Sequence, residues 1–468
     1  METWDRGVQV SWLLQFTEEK ACWDYPTWKV VQDIIRPETE ARKCRYSDLP
    51  GMVVSGSVGK RYIFVSHAWG SLWGDLVSAS LDGVPLESFV WIDVFAIMQW
   101  DDSLQRHLQE RDLRQLTAVV AMSDALLCVV GCDTESERQL ISAGKKLLAL
   151  PSEILRRVPF QRIWCLEEIH TALQCGKTVV CTLGNRTGDA REFRPCDVEL
   201  IPALYFGLDV AEAQATVARD RVAILRKVQA RDGVAVVNAR LRGALIGALA
   251  TRYHPEVRRI ALSGATSQLG EVRDQLDECR GPYAVTPLAA AAALGDTRLV
   301  HSLLVAGSPL RGALFWAAEA GHAGVVRALL AARADVSETI SCDGEQGDKY
   351  NLVGMSALMA AANGNHFEAV QVLLQAGAPI NAEHPKIPGL TALKSCAKNG
   401  AKEAARALLD AGAEECTEAT ELLLQQQKDH KKGEAGSEHD ATTSSQGTLA
   451  QEGQEPPAKA QKTGSLNK

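Results

Sequence analysis

Leucine pairs recur through the second half of this chain at 303/304, 329/330, 373/374 and 408/409, with spacings of 26, 44 and 35 residues that average 35. Each pair follows a segment that turns and then opens a helix: Thr286-Pro287-Leu288-Ala289, Gly312-Ala313-Leu314-Phe315, Ser356-Ala357-Leu358-Met359 and Thr391-Ala392-Leu393-Lys394. Small residues stand where a second helix should stop, at Ala306-Gly307, Ala376-Gly377-Ala378 and Ala411-Gly412-Ala413. A unit this short buries its apolar face only against copies of itself, so the period confines the region to a stacked array.

These segments resemble ankyrin repeats, whose period is about 33 residues. The resemblance implies an α-solenoid that binds a protein partner. The short spacing implies a trimmed loop between Gly307 and Gly312, and the long one an insertion near Glu338 to Leu352, on the edge where ankyrin loops project. Arg259-Ile260-Ala261-Leu262, with Val272 and Leu276, reads as a degenerate first repeat, giving four to five repeats over 256–424. Residues 425–468 are dominated by Gln, Lys, Ser, Gly, Glu and Thr, cannot bury a core, and are expected to be disordered.

The front half has a different architecture, because nine of the ten tryptophans fall at or before Trp164. Apolar runs at 62–66, 89–92, 125–130 and 177–183 alternate with helical stretches, the pattern of a doubly wound parallel sheet covered on both faces. The α/β domain is expected over 60–195. Residues 1–59, with Trp4, Trp12, Trp23 and Trp28, read as a helical cover whose amphipathic segment from Trp28 is stopped by Pro37. Gly56-Ser57-Val58-Gly59-Lys60 lacks the phosphate-loop spacing and precedes a strand instead of following one. Residues 196–255 read as a helical connector, with Asp209-Val210-Ala211-Glu212 as a helix start and Leu241, Leu245 and Leu249 on a second helix.

Candidate chemistry centres on Arg162-Ile163-Trp164-Cys165-Leu166-Glu167-Glu168-Ile169-His170. Leu166, Ile169 and Leu173 fall on the core face of a helix, while Trp164 and Glu168, four apart, share its margin. Strand ends at Ser66-His67-Ala68-Trp69 and at Asp93 stand where an open α/β sheet receives its ligand, outside the carboxyl ends of the strands. Ser66, His67, Trp69, Asp93 and Glu168 are expected to converge on one crevice. His67 reads either as a substrate contact or as a structural hydrogen-bonder, and Asp93 either as a ligand contact or as a loop cap.

In order and spacing, "FVSHAWG", "WIDVFAI" and "RIWCLEEI" resemble the TIR superfamily, above all its protist and algal members, over roughly 60–185. Trp91-Ile92-Asp93 with Ile97, Gln99, Asp101 and Asp102 is also similar to the heterokaryon-incompatibility domain. Trp164-Cys165-Leu166-x-Glu168-Ile169 matches the W-C-L-x-E-L signature of plant-type TIR domains. The resemblance implies a flavodoxin-like sheet that self-associates, NAD as substrate with no bound cofactor or metal, and Glu168 as the catalytic residue of NAD cleavage. Trp69, Trp100 or Trp164 would stack on a base or on nicotinamide.

A formal net charge of −8 argues against nucleic acid as a partner. No apolar run has the length of a membrane span, and the first residues show no secretory pattern. Twelve cysteines without a C-x-x-C pair suit reduced, cytoplasmic usage. Two function classes follow. One is a signalling protein with an NAD glycohydrolase or cyclase domain and a protein-binding array; the other is a non-catalytic adaptor that uses both surfaces for protein interaction.

Overall fold

The computed structural model describes residues 2–421 except 83, 101, 103–104, 189–191, 198, 254–259, 261, 263–265, 277–282, 284 and 342–351, and for 248–253 the backbone alone. The tail from 425, Asp101 and most of the 338–352 insertion lie outside the described residues.

Six strands form one sheet among the described residues: β1 (Val8–Gln9), β2 (Ile63–His67), β3 (Phe89–Trp91), β4 (Ala125–Gly131), β5 (Thr178–Arg186) and β6 (Phe193–Pro195), in the order β1-β3-β2-β4-β5-β6. The middle four are parallel, with Ser66 beside Cys128 and Cys128 beside Cys181. β1 and β6 close the two edges antiparallel, so the sheet is mixed instead of purely parallel. Every residue of β2 and β4 is buried, as happens when helices cover both faces of a sheet.

The helices that matter here are α1 (Val10–Glu19), α2 (Trp73–Leu81), α3 (Arg106–Arg114), α4 (Leu116–Met122), α5 (Thr134–Ala143) and α6 (Ile163–Gln174). α2 packs on β4 and β5 and is backed by α1, whereas α6 packs on β2, β4 and β5 beside α4. Strand order reverses at β2, whose neighbours are β3 and β4, and it is outside the carboxyl ends of β2 and β3 that residues 67–69 and Asp93 come together. α6 buries Ile163, Leu166 and Ile169 completely, which fixes its rotation and leaves Trp164 and Glu168 half-buried at the margin.

Two stretches depart from the sequence reading. The N-terminal cover supplies β1 as well as helix, and its amphipathic segment continues past Pro37. A π-turn over Val31–Ile35 precedes the proline, with the Arg36 amide donating to Val31, so the missing Pro37 N–H and the bulky ring are accommodated in the widened turn. Asp209 caps only one 3-10 turn, its carboxylate accepting from the Ala211 amide.

The connector holds α7 (Leu200–Gly207), α8 (Ala218–Arg231) and α9 (Val234–Tyr253). Beyond it come four helix pairs: α10 (Pro287–Leu294) with α11 (Thr297–Ala306), α12 (Ala313–Glu319) with α13 (Ala323–Ala331), α14 (Ala357–Asn363) with α15 (Phe367–Gln375), and α16 (Ala392–Asn399) with α17 (Lys402–Asp410). Thr286, Ser356 and Thr391 cap α10, α14 and α16 through their hydroxyls, which explains the recurring turn residue. The ends of the insertion are drawn together by the Ile340 amide donating to Met355 and the Gly354 amide to Ile340.

α9 packs at once on β5 and on α10, and therefore joins the sheet to the stack. Gly243 makes this possible, since a Cβ at that position would overlap the Ala293 carbonyl oxygen. The alanine-rich face of α10 keeps the two backbones close.

Candidate active site

Ser66, on β2, donates its hydroxyl to Glu168 Oε2 at 2.6 Å. Beside this pair lies a cavity of about 260 Å3, with His67, Trp69, Asp93, Trp164, Cys165 and Glu168 in its lining. Trp69 is held by its indole N–H donating to Asp93 Oδ2 at 2.7 Å, and Asp93 Oδ1 accepts from the Val94 amide at 2.8 Å. Trp164 is fixed from the connector, donating to Asp220 Oδ2 at 3.3 Å.

Six of the seven residues singled out in the sequence thus meet at one place: five in the lining, and Ser66 through its bond to Glu168. Trp100 stands elsewhere. Its indole donates to Thr39 Oγ1 at 3.0 Å, and the Lys43 ammonium lies 3.1 Å from the ring centroid. Gln99 likewise serves the loop itself, donating to the carbonyls of Asp93, Val94 and Ile97.

That loop is anchored from below. The buried Asp112 carboxylate accepts from the Met98 amide at 3.1 Å and receives a two-pronged bond from Arg45, at 2.6 and 2.8 Å. The N-terminal cover thereby holds the segment that carries Asp93.

Burial pushes the Glu168 carboxyl up to about 8; the charges of Asp93 and Glu167 add to this, and the Ser66 hydrogen bond opposes it. The neighbouring Glu167 points away and forms an ion pair with Lys227 of α8. His67 is held below its ordinary value by burial, against the pull of Asp93, so its imidazole is neutral. His67 Nε2 is buried without a hydrogen-bond partner among the described residues, on a side chain that lines the cavity. An unpartnered buried nitrogen is costly unless a ligand engages it. Cys165 is no candidate nucleophile: burial drives its thiol well above the usual range, and its Sγ donates to the His67 carbonyl.

Sequence reasoning missed the share of the connector in this site. Gln214 and Thr216 line the cavity with Arg162, because residues 213–217 run alongside the start of α6: the Ile163 amide donates to Gln214 O at 2.9 Å and the Gln214 amide to Gln161 O at 2.8 Å. Nothing local in that stretch signals the pairing.

Three of the four stacked helix pairs, α12 to α17, fall within matches to known families. Residues 310–420 are ankyrin repeats. The model described as Ankyrin repeats (3 copies) matches residues 336–420, and the Ankyrin repeat model matches residues 310–340. The α/β domain lies outside both matches, and no curated protein matches the chain. α10 and α11 extend the ankyrin stack upstream by one pair of the same build, with α9 beyond them. Within the stack, His322 Nε2 bonds to the Ala293 carbonyl at 3.1 Å and His366 Nε2 to the Glu319 carbonyl at 2.9 Å, each histidine reaching back one repeat. No helix among the described residues is long and apolar enough to cross a membrane.

Proposed function

We propose that the α/β domain cleaves NAD, with Glu168 as its catalytic carboxylate, and that the ankyrin array binds a protein which governs it. The observation that supports this most directly is that Glu168, hydrogen-bonded by Ser66, lines a cavity walled by Trp69 and Trp164. Nicotinamide leaves NAD as a neutral molecule: the bond from C1′ to the ring nitrogen breaks, its electron pair neutralises the pyridinium, and a ribosyl cation remains. No acid is needed at the leaving group. A preorganised carboxylate beneath the sugar stabilises the developing charge and takes the proton from the water that adds at C1′, giving ADP-ribose. An internal nucleophile in place of water gives the cyclase outcome.

The arrival of a cationic pyridinium favours ionisation of Glu168, which burial disfavours in the empty cavity. The Trp69 and Trp164 rings offer faces for nicotinamide, and His67 Nε2 offers a neutral bonding partner for a sugar hydroxyl or the carboxamide.

Full-length protein incubated with NAD, with products separated by chromatography, tests the reading. Glu168→Gln should lose activity by on the order of 10²- to 10³-fold, while Glu167→Gln retains it. A wild type that is inert at high concentration removes the enzymatic role and leaves the non-catalytic adaptor, whose binding surfaces are the ankyrin repeats and the α/β face.

A further inference from the structure

Trp69 is a wall with two sides. Behind it a groove of about 590 Å3 runs between Trp28 and the loop that carries Arg156, Arg157 and Arg162, with Glu153 as the one carboxylate in its lining. Trp69, Arg162, Gln214 and Thr216 line both this groove and the Glu168 cavity, so the two adjoin.

Three distant segments build the groove. The Trp28 amide donates to the Trp69 carbonyl at 3.1 Å, and the Thr27 amide to the Ser71 carbonyl at 3.0 Å. Ser71 Oγ in turn donates to the Arg157 carbonyl at 2.7 Å. Gly70 lies against the backbone of Arg156, where any side chain would force the loop away.

The guanidiniums are unequally satisfied. Arg157 is paired with Asp133, and Arg162 donates to the Thr216 hydroxyl at 2.7 Å without a carboxylate. Arg156 is exposed and makes no ion pair among the described residues. Burial and the nearby Arg156 charge both lower the pKa of Arg162, so an anion placed between the two relieves a repulsion. A protein of net charge −8 thus gathers excess positive charge beside its candidate carboxylate. The two indole rings along the groove are 49% and 36% exposed, an unusual investment of apolar area in solvent.

We propose that this groove binds the diphosphate and the distal base of a dinucleotide whose reacting ribose lies at Glu168. Arginines grip phosphate oxygens through paired N–H groups, and tryptophan faces stack on a base of any identity. Arg162 occupies the position just before the helix that carries Glu168 six residues later, an axial separation of about 9 Å, which suits a ribose with its anomeric carbon at the carboxylate and its 5′-phosphate at the arginines. The inference rests on the NAD-cleaving reading for the identity of the second half of the ligand. The groove itself requires only an anionic aromatic molecule.

ADP, which lacks the nicotinamide half, separates the two ideas. Full-length protein titrated with ADP should show quenching of tryptophan fluorescence and a calorimetric signal, with inorganic pyrophosphate competing. Arg156→Glu, at an exposed position without an ion-pair partner, should leave the melting temperature unchanged and weaken ADP by about tenfold or more. Glu168→Gln should leave ADP affinity unchanged. Wild-type protein that ignores millimolar ADP, or an Arg156→Glu protein that binds it equally well, overturns the proposal. ADP binding of the expected pattern without NAD turnover upholds the groove and removes only the catalytic role of Glu168.

Discussion

The Ser66 hydroxyl donates to Glu168 Oε2 at 2.6 Å, tying a strand end to a helix 102 positions further along the chain. The bond favours the ionised carboxylate against its burial. Ser66→Ala removes that support, and Glu168 should then titrate above its value of about 8. A hydrogen bond to a charged group is worth about 1.5–3 kcal/mol, so the alkaline shift should be about one to two pH units. The pH profile of the proposed NAD cleavage reads it directly. An unmoved profile would show that the hydroxyl does not tune the acid.

The same carboxyl destabilises the fold at high pH. Its folded value of about 8 lies above the unfolded value of 4.5, so between these limits the folded state holds the proton more tightly. Stability contributed by this site is therefore full below 4.5 and falls as pH rises toward 8, by several kcal/mol at most. Glu168→Gln keeps the Ser66 contact without the ionisation. Its melting temperature should match wild type at pH 5 and exceed it at pH 8.5. Equal melting at both would mean that the carboxyl is solvated.

How far the site could be read in advance depended on range. Ile63 to His67 is a contiguous apolar run, and Leu166 with Ile169 keeps helical spacing, so both elements and the placement of Glu168 follow from neighbours in sequence. The leucine pairs are legible for the same reason. Val8 and Gln9 are too few to show a strand and become one only by pairing with β3. Gln214 enters the site through a bridge to Arg162, fifty-two positions away in the chain, which no local pattern encodes. Trp100 shared the composition of the site but not its direction: its ring is drawn under the N-terminal cover by Thr39 and Lys43.

Asp112 gives a test of how the cover holds the site. With its partner Arg45 it forms a buried pair that also binds the Met98 amide. Asp112→Ala leaves two buried arginines, Arg6 and Arg45, with Asp48 as the carboxylate they still share, and should cost about 3–5 kcal/mol in chemical denaturation. A change under 1 kcal/mol would show that water replaces the carboxylate.

The ankyrin array should soften in acid. Burial holds His322 and His366 down to about 4 from 6.5. Between those values the unfolded chain takes up a proton that the folded chain refuses, so stability is full above 6.5 and lost as pH falls toward 4. Each histidine accounts for about 2–4 kcal/mol of that loss. Gly295 and Gly321 leave the room these rings occupy, at positive φ of 72° and 77°, where a Cβ would overlap the imidazoles. His366→Gln should flatten the acid limb of the melting curve between pH 6.5 and 4.5. A limb as steep as wild type would assign the acid sensitivity to other groups.

Gly243 permits the close approach that joins sheet to solenoid. It is the point where α9, already packed on β5, meets the Ala293 carbonyl of α10, and even one methyl group there cannot be placed without parting the helices. Thr178 Oγ1, at the start of β5, donates to Asp296 Oδ2 at 2.9 Å nearby, so separation also breaks a bond that spans the two parts. Gly243→Val should therefore loosen the junction more than it harms either core. Amide hydrogen exchange should quicken in α9, α10 and the first residues of β5, while α6 and α14 to α17 keep wild-type protection. If an ankyrin ligand governs Glu168 through α9, this variant should also lose the effect of that ligand on NAD cleavage. Unchanged exchange at the junction would mean that α10 is held to the sheet by contacts other than this close approach.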